Sequence, residues 1–323
     1  MEESHRGILV FGARSLIRVR RARILVAPSP KGAGDDADRR GRFRPDGRPP
    51  RAAAKLPDVP PTYFDVVYSI NEWMRPEDPV DTALAMSQWE HLVETYRRLG
   101  HEVLTIDPVP GLPDMVFVTD SGLVIDGVAL GARYRTEQRA AEADHVLRWF
   151  LANGLLRPTR PRYINEGEGD LLVVGDIVCA GTGFRTDERA HAEVARHLGR
   201  RVVTLRLIDP RYYHLNTALG VLDDHTVAYL PQAFAPESLA VLLDLFPDAI
   251  IAEEADTRWL GLNLVSDGRN VVLPSQAQRL ADRLAERGYT PVPVDFSEFL
   301  KSGGGIKCCT LELRGYRELR AGR

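Results

Sequence analysis

Apolar positions along the chain fall into two periods. Between residues 81 and 99, Leu84, Trp89, Leu92, Val93, Tyr96 and Leu99 recur at helical spacing, and Gly100 ends the run. The same spacing predicts helices over 138–153, 187–198, 236–246 and 275–288. Short apolar runs between them predict strands at 64–68, 102–106, 115–118, 123–125, 128–130, 171–174, 177–180 and 202–207. Further strands are predicted at 218–222, 226–229, 262–266, 270–273 and 290–294. The pairs Asp126-Gly127, Gly175-Asp176, Asp223-Asp224 and Asp267-Gly268 are turn signals that fold successive strands into hairpins. They recur at roughly 40–50 residues, a period of repeat arrays. The unit is strand pair, helix, strand, and it returns about five times. The expected fold class is therefore α/β, with the units closed into a ring whose loops meet at one end of a central channel. An open doubly wound sheet would need long parallel strands and a glycine-rich phosphate loop, and neither is present.

Residues 1–59 break the pattern and read as an atypical, poorly ordered N-terminal extension; residues 60–323 read as the catalytic domain. From 31 to 55 the chain is dominated by Gly, Asp, Arg, Pro and Ala, too polar to offset the entropy of ordering. The run 24–27 is a candidate isolated strand. The apolar stretch 7–13 is followed by Arg14, Arg18, Arg20, Arg21 and Arg23, which does not suit a signal peptide.

The chain has 323 residues, 44% of them hydrophobic, and a net charge of −3. Near-neutral charge argues against nucleic-acid binding, and no apolar run is long enough to span a bilayer. Three cysteines do not make a disulfide framework and suit a reducing cytoplasm. No metal-ligand spacing or nucleotide fingerprint appears, so no cofactor is expected. Homo-oligomerisation stays open.

Three segments carry candidate chemistry. Gly303-Gly304-Gly305-Ile306-Lys307-Cys308-Cys309 places a cysteine pair after glycines that permit close backbone approach and beside a lysine whose charge favours a thiolate. Read alone, it equally suits a strand opening with two buried cysteines. Asn165-Glu166-Gly167-Glu168-Gly169-Asp170 is a carboxylate cluster leading into an apolar run, and Tyr212-Tyr213-His214-Leu215-Asn216 sets a histidine among apolar neighbours. A thiol, an imidazole and a carboxylate far apart in sequence are the usual parts of a nucleophilic catalyst.

Together with Gly111-Leu112-Pro113-Asp114-Met115-Val116-Phe117-Val118-Thr119-Asp120 and Tyr68-Ser69-Ile70-Asn71-Glu72-Trp73-Met74, these segments resemble the guanidine-modifying superfamily. It includes dimethylargininases, arginine deiminases, arginine dihydrolases and amidinotransferases. The resemblance runs from about Pro60 to about Arg314. It implies a five-bladed α/β propeller with its active site in the central channel. It further implies Cys308 as nucleophile, His214 as general acid and base, and Glu168 as the acid that orients His214. Glu166 is expected to face solvent. Asp120 would grip the guanidinium, and Asp114, Asn71, Asp170 and Asn216 would contact substrate. Arg139 and Arg185 would meet the substrate's carboxylate. Cys309 would point to the other face of its strand, and Cys179 would be core. His91, His145, His191 and His197 lie on helical patterns and are expected to be exposed.

Two departures bear on substrate. Deiminases and dihydrolases carry His-Leu-Asp where this chain has His214-Leu215-Asn216, and relatives show Ala-Asn where it has Thr119-Asp120. A neutral amide at 216 suits a guanidinium that has lost donors to methyl groups. The expected activity is hydrolysis of N-methylated arginine to citrulline and an amine through a covalent thiouronium. The alternatives are an arginine dihydrolase or deiminase, an amidinotransferase, or a guanidine-binding protein without activity.

Overall fold

A computed structural model describes residues 54–316. The candidate strand at 24–27 and most of the extension lie outside the described residues. The strands are β1 (Lys55–Asp58), β2 (Glu102–Thr105), β3 (Gly122–Ile125), β4 (Val128–Gly131), β5 (Leu156–Thr159), β6 (Leu171–Val174) and β7 (Ile177–Thr182). They continue with β8 (Arg201–Arg206), β9 (Leu219–Val221), β10 (Val227–Tyr229), β11 (Ile250–Ile251), β12 (Val265–Ser266), β13 (Asn270–Pro274) and β14 (Thr290–Val294).

The strands form four three-stranded sheets and one two-stranded sheet among the described residues. The four share one plan. An antiparallel hairpin is followed by a helix, which returns the chain to a third strand parallel to the second. The connecting helices are Glu142–Ala152, Glu188–Leu198, Pro236–Leu245 and Gln278–Glu286. In the remaining sheet β1 and β2 are parallel, joined through the helix Thr82–Arg98. Leu311 N–H donates to the Pro57 carbonyl (3.2 Å) and Leu313 N–H to that of Lys55 (3.0 Å), so both ends of the described chain meet along β1. Lys55–Asp58 thus belong to a sheet, although the sequence reading put them in the extension. Three strand residues, Leu56, Pro57 and Asp58, are buried, and that burial stabilises the strand.

Local chemistry explains the boundaries. Asp81 caps the first helix by accepting the Leu84 N–H (3.0 Å), and Asp187 caps Glu188–Leu198, which ends at Gly199 in the left-handed region. Each helix buries one face: Leu92, Val93 and Tyr96 in the first, Leu280, Ala281 and Leu284 in the last. Two predicted strands are not strands. Residues 64–68 alternate in burial, with Phe64 and Val66 inside and Val67 exposed, but pair with no sheet. Residues 113–121 instead form two 3₁₀ turns, the first opened by Pro113, whose missing N–H costs nothing there. The short strands β1, β5 and β11 were not foreseen.

Candidate active site

Four of the chemistry-bearing residues lie in the turns that lead into the first strand of the three-stranded sheets. Asp120 lies in the 3₁₀ turn before β3, and Glu166 caps the helical turn before β6. His214 caps the turn before β9, and Asn263 stands just ahead of β12. Repetition of one turn per unit brings the four together. Cys308 lies in a helical turn near the end of the described chain, where Cys309 N–H donates to Gly305 and Thr310 N–H to Lys307. No strand forms there, contrary to expectation. Cys309 is buried in an apolar cluster with Tyr96 and Phe299, and burial raises its thiol pKa. Cys179 is buried in β7.

His214 is fully buried and sits between two acids. Its Nε2 donates to Glu166 Oε2 at 2.7 Å, and its Nδ1 is 3.6 Å from Asp120 Oδ1. Burial works against the imidazolium, but Asp120 and the Glu166 hydrogen bond outweigh it and raise the pKa of His214 above its ordinary value. Glu166 resists ionisation through burial, yet Arg185 (2.9 Å) and His214 together hold its carboxyl well below the usual range. The acid hydrogen-bonded to the histidine is therefore Glu166 and not Glu168, and Glu166 is buried rather than solvent-facing. The reason is local. An extended segment would put Glu168 and Asp170 on one side, but 167–170 is a helical turn that separates them. Glu168 goes to Lys307 and to Arg314 (2.6 Å). Asp170 accepts the Thr186 N–H (3.0 Å) and the Leu215 N–H (2.9 Å), bracing the neighbouring turns.

Asp120 Oδ2 pairs with Arg139 (2.6 Å), while Asp120 Oδ1 and His214 Nδ1 have no hydrogen-bond partner among the described residues. A Cβ at Gly169 would meet Asp120 Oδ1 at 2.5 Å and the His214 ring at 3.1 Å, so only glycine lets the acid and the ring approach. The Cys308 carbonyl accepts the Thr119 N–H (3.1 Å), which ties the cysteine turn to the Asp120 turn. Cys308 Sγ receives a hydrogen bond from Asn263 Nδ2 (3.2 Å) and lies 3.9 Å from Asn216 Oδ1. Burial, then the charge of Asp120, push the Cys308 thiol up to about 12.

The other expected contacts divide. Arg139 is buried and donates to Glu142, Asp120, the Tyr134 hydroxyl and the carbonyls of Asp114 and Phe117. It anchors Asp120, so the structure does not turn it toward a substrate carboxylate. Two acids neutralise its buried charge. Arg185 stacks on Tyr213 and donates to Glu166 and to the Ile70 carbonyl (2.9 Å). Asp114 accepts from the Tyr68 hydroxyl (2.9 Å) and the Ser302 hydroxyl (3.0 Å), and burial raises its pKa. Asn71 Oδ1 accepts the N–H groups of Trp73 and Met74, and its amide donates to the Ser302 carbonyl. That is the bracing of a loop. Asn216 Nδ2 donates to the Glu168 carbonyl (3.3 Å). Lys307 turns from the thiol toward Glu168, Glu312 and the Thr310 carbonyl, so its charge is neutralised elsewhere. His191 is buried, bonded to Thr204 and the Gly181 carbonyl, and not exposed on its helix. Asn263 was not foreseen, because a lone Asn in Leu262-Asn263-Leu264 carries no motif. Among the described residues, no group of three or more His, Cys, Asp or Glu side chains is arranged to hold a metal ion, and no helix is long and apolar enough to cross a membrane.

No protein-family model matches the chain. Over 255 residues it is 53% identical to N(G),N(G)-dimethylarginine dimethylaminohydrolase of Mycobacterium tuberculosis, covering 79% of this chain and 84% of that protein. It is 34% identical over 260 residues to the bifunctional arginine dihydrolase/ornithine cyclodeaminase ArgZ of Synechocystis sp., covering 79% of this chain but only 37% of that longer protein. The solved N-terminal domain of ArgZ bound to product matches with a TM-score of 0.77 at 33% identity, over 81% of this chain and 97% of that one. The fold is thus the mixed α/β fold of the guanidine-modifying enzymes. The chain belongs to the dimethylarginine dimethylaminohydrolase family.

Proposed function

We propose that this protein hydrolyses N-methylated arginine to citrulline and a methylamine. The observation that carries the reading is the buried His214 held between Glu166 and Asp120, with Nδ1 and Oδ1 facing each other at 3.6 Å without hydrogen-bond partners among the described residues. The 53% identity to a dimethylarginine dimethylaminohydrolase supports the same substrate. In this reading the five sheets close into a five-bladed ring through the 311–313 segment on β1, with the site in its channel. The catalytic unit begins at β1.

The guanidinium sits with its N–H groups toward Asp120 Oδ1 and Asn216 Oδ1, both acceptors. Its positive charge arrives beside Cys308 and favours the thiolate that burial opposes. The thiolate attacks the guanidinium carbon, and the tetrahedral adduct expels the methylated amine, which takes its proton from His214. The resulting thiouronium is attacked by water, whose proton passes to His214. The C–S bond breaks, leaving the ureido group of citrulline and restoring Cys308. Glu166 keeps Nε2 protonated and the ring oriented. Arg185 is read as the cation for the substrate's α-carboxylate, exchanging the Ile70 carbonyl for it. A free thiol nucleophile suits a reducing cytoplasm.

Arginine itself is the second reading, favoured by the structural match to an arginine dihydrolase domain. Mass spectrometry of products from asymmetric dimethylarginine, monomethylarginine and arginine, each beside Cys308→Ser, separates them. Citrulline with dimethylamine, absent from the control, is expected. Ammonia from arginine alone would move the activity to the second reading, and an amidino group captured by an added amine would make it a transferase.

A further inference from the structure

Asn263 makes a hydrogen-bonded clasp around the nucleophile. Its Nδ2 donates to Cys308 Sγ (3.2 Å) and to the Asn216 carbonyl (3.1 Å), and its Oδ1 accepts the Cys308 N–H (3.0 Å). The Asn263 carbonyl accepts the Lys307 N–H (3.2 Å), so backbone and side chain both grip the cysteine turn. Asn263 has no solvent exposure. The surrounding backbone is shaped for the contact. Asn263 N–H closes a turn onto the Leu260 carbonyl (2.8 Å), and Leu260 adopts φ +52°, a costly conformation for leucine. On the other side a Cβ at Gly305 would fall 2.7 Å from Asn263 Oδ1.

The chemistry selects an amide. An aspartate would keep the acceptor for the Cys308 N–H but lose the donor to sulfur and add a like charge. A leucine would leave the Cys308 N–H and the Asn216 carbonyl buried without partners. The two amides that reach Sγ act on different protonation states. Asn216 presents an oxygen, which accepts the proton of the neutral thiol. Asn263 presents an N–H, which strengthens when sulfur becomes an anion.

We infer that Asn263 aims Cys308 and stabilises its thiolate by donating Nδ2–H to Sγ, a positioning and nucleophile-activating role separate from substrate binding. The inference rests on Cys308 being the nucleophile of the proposed reaction. Burial and Asp120 hold the thiol near 12, and the Asn263 bond is among the contacts that pull it down.

The test is the rate of Cys308 alkylation by iodoacetamide against pH, read by mass spectrometry of the Cys308 peptide in wild type, Asn263→Asp and Asn263→Ser. In the folded wild type the rate climbs about tenfold per pH unit below the thiol pKa. In Asn263→Asp the line falls roughly 10- to 100-fold at each pH, the worth of a hydrogen bond to a charged group. Asn263→Ser falls in the same direction by less and gives the answer should the aspartate variant not fold, which shows as faster alkylation and a lost melting transition. Where turnover is measured, kcat falls with the alkylation rate while KM stays near wild type. A folded variant alkylated at the wild-type rate overturns the inference. The assay uses no substrate, so absence of methylarginine turnover would overturn the functional reading and leave this result standing.

Discussion

Two charge clusters draw on residues only one or two positions apart in the chain. Glu166 and Cys308 belong to one, and Glu168 and Lys307 to the other. In the second, Glu168 meets Lys307 and Arg314, and Glu312 meets the same two cations. It borders a cleft lined by Leu172, Leu219, Val221, Leu264, Lys307 and Arg314. Two acids face two bases and every charge has its partner. In the first, Glu166 and Asp120 flank His214, and two facing buried atoms have no hydrogen-bond partner among the described residues. A buried polar atom without a partner is costly, and such debts collect where a protein binds or reacts. The balanced cluster is a structural seal. In the other the acids also have cations, Arg185 beside Glu166 and Arg139 beside Asp120, and what stays open is hydrogen-bonding capacity at Asp120 Oδ1 and His214 Nδ1.

The largest expected effect tests the reactive side. Glu166→Gln removes the charge that holds His214 oriented and protonated. We expect kcat to fall roughly 100- to 10,000-fold, the range of general acid–base contributions. The sign of the pH effect is fixed as well. Glu166 raises the His214 pKa, and the imidazolium supplies the proton to the leaving amine. Because the leaving amine takes its proton from the imidazolium, wild-type kcat therefore has an alkaline limb, falling as pH rises through that raised value. In Glu166→Gln the alkaline limb moves to lower pH. A pH–kcat profile with the limb unmoved would remove Glu166 from the acid–base role.

Glu168→Gln is the counterpart on the sealed side. It leaves Lys307 and Arg314 without their shared buried acid and is expected to cost about 3–5 kcal/mol of stability. Below the melting transition, kcat should stay within several-fold of wild type, because the Glu168 carboxylate meets Lys307 and Arg314, while its carbonyl, which the substitution keeps, holds Asn216. Denaturant unfolding and turnover of the two glutamate variants, side by side, decide the comparison. A folded Glu168→Gln as inactive as Glu166→Gln would erase it.

The choice between those glutamates shows how far the sequence could be read. The helices were legible because their apolar period, capping aspartates and terminal glycines all agree. The hairpins were legible from Asp-Gly and Gly-Asp turns, and their repetition placed the distant motifs together. Glu166 was passed over because the resemblance was laid on Glu168, and the sequence does not show that Gly167, at φ +48°, starts a helical turn. In a turn, positions two apart diverge. Arg139 was read as a free cation because the sequence does not show that Glu142 and Asp120 both bury against it. Residues 115–118 and the Cys308 segment carry strand-like composition, but their backbone groups bond within turns and, around Cys308, to Asn263 and Thr119 instead of to a neighbouring strand. Asn263 was invisible because an amide acts through where it is held.

A third variant pair sharpens what the reactive cluster recognises. The resemblance to enzymes with His-Leu-Asp suggests a testable exchange, in which Asp120 supplies the charge that an aspartate at 216 would carry. Asp120→Asn and Asn216→Asp should each lower kcat/KM, and the double exchange should recover part of the loss. Recovery is incomplete because Asp120 also pairs with Arg139, which the exchange does not restore. Asn216→Asp further sets a negative charge 3.9 Å from Sγ and opposes the thiolate. A double-mutant cycle with coupling of about 1 kcal/mol or more supports a shared charge, and additive losses sink it.

The smallest effect concerns a buried acid in neither cluster. Asp58, in β1, accepts from Trp89 Nε1 (2.7 Å) and the Val59 N–H (2.8 Å), and its other oxygen has no hydrogen-bond partner among the described residues. Burial raises its pKa from 3.8 to about 8. Between those values the folded protein holds a proton that the unfolded chain has released, so stability declines as pH rises through this window. Above about 8 both states are ionised and the decline stops. Asp58→Asn removes the titration and keeps an oxygen for Trp89. At pH 5 its new amide donors leave it less stable than wild type. By pH 9 the difference in melting temperature should close by a few degrees or reverse. Thermal melts at pH 5, 7 and 9 measure it, and a constant difference across the three would mean that Asp58 does not hold its proton when folded.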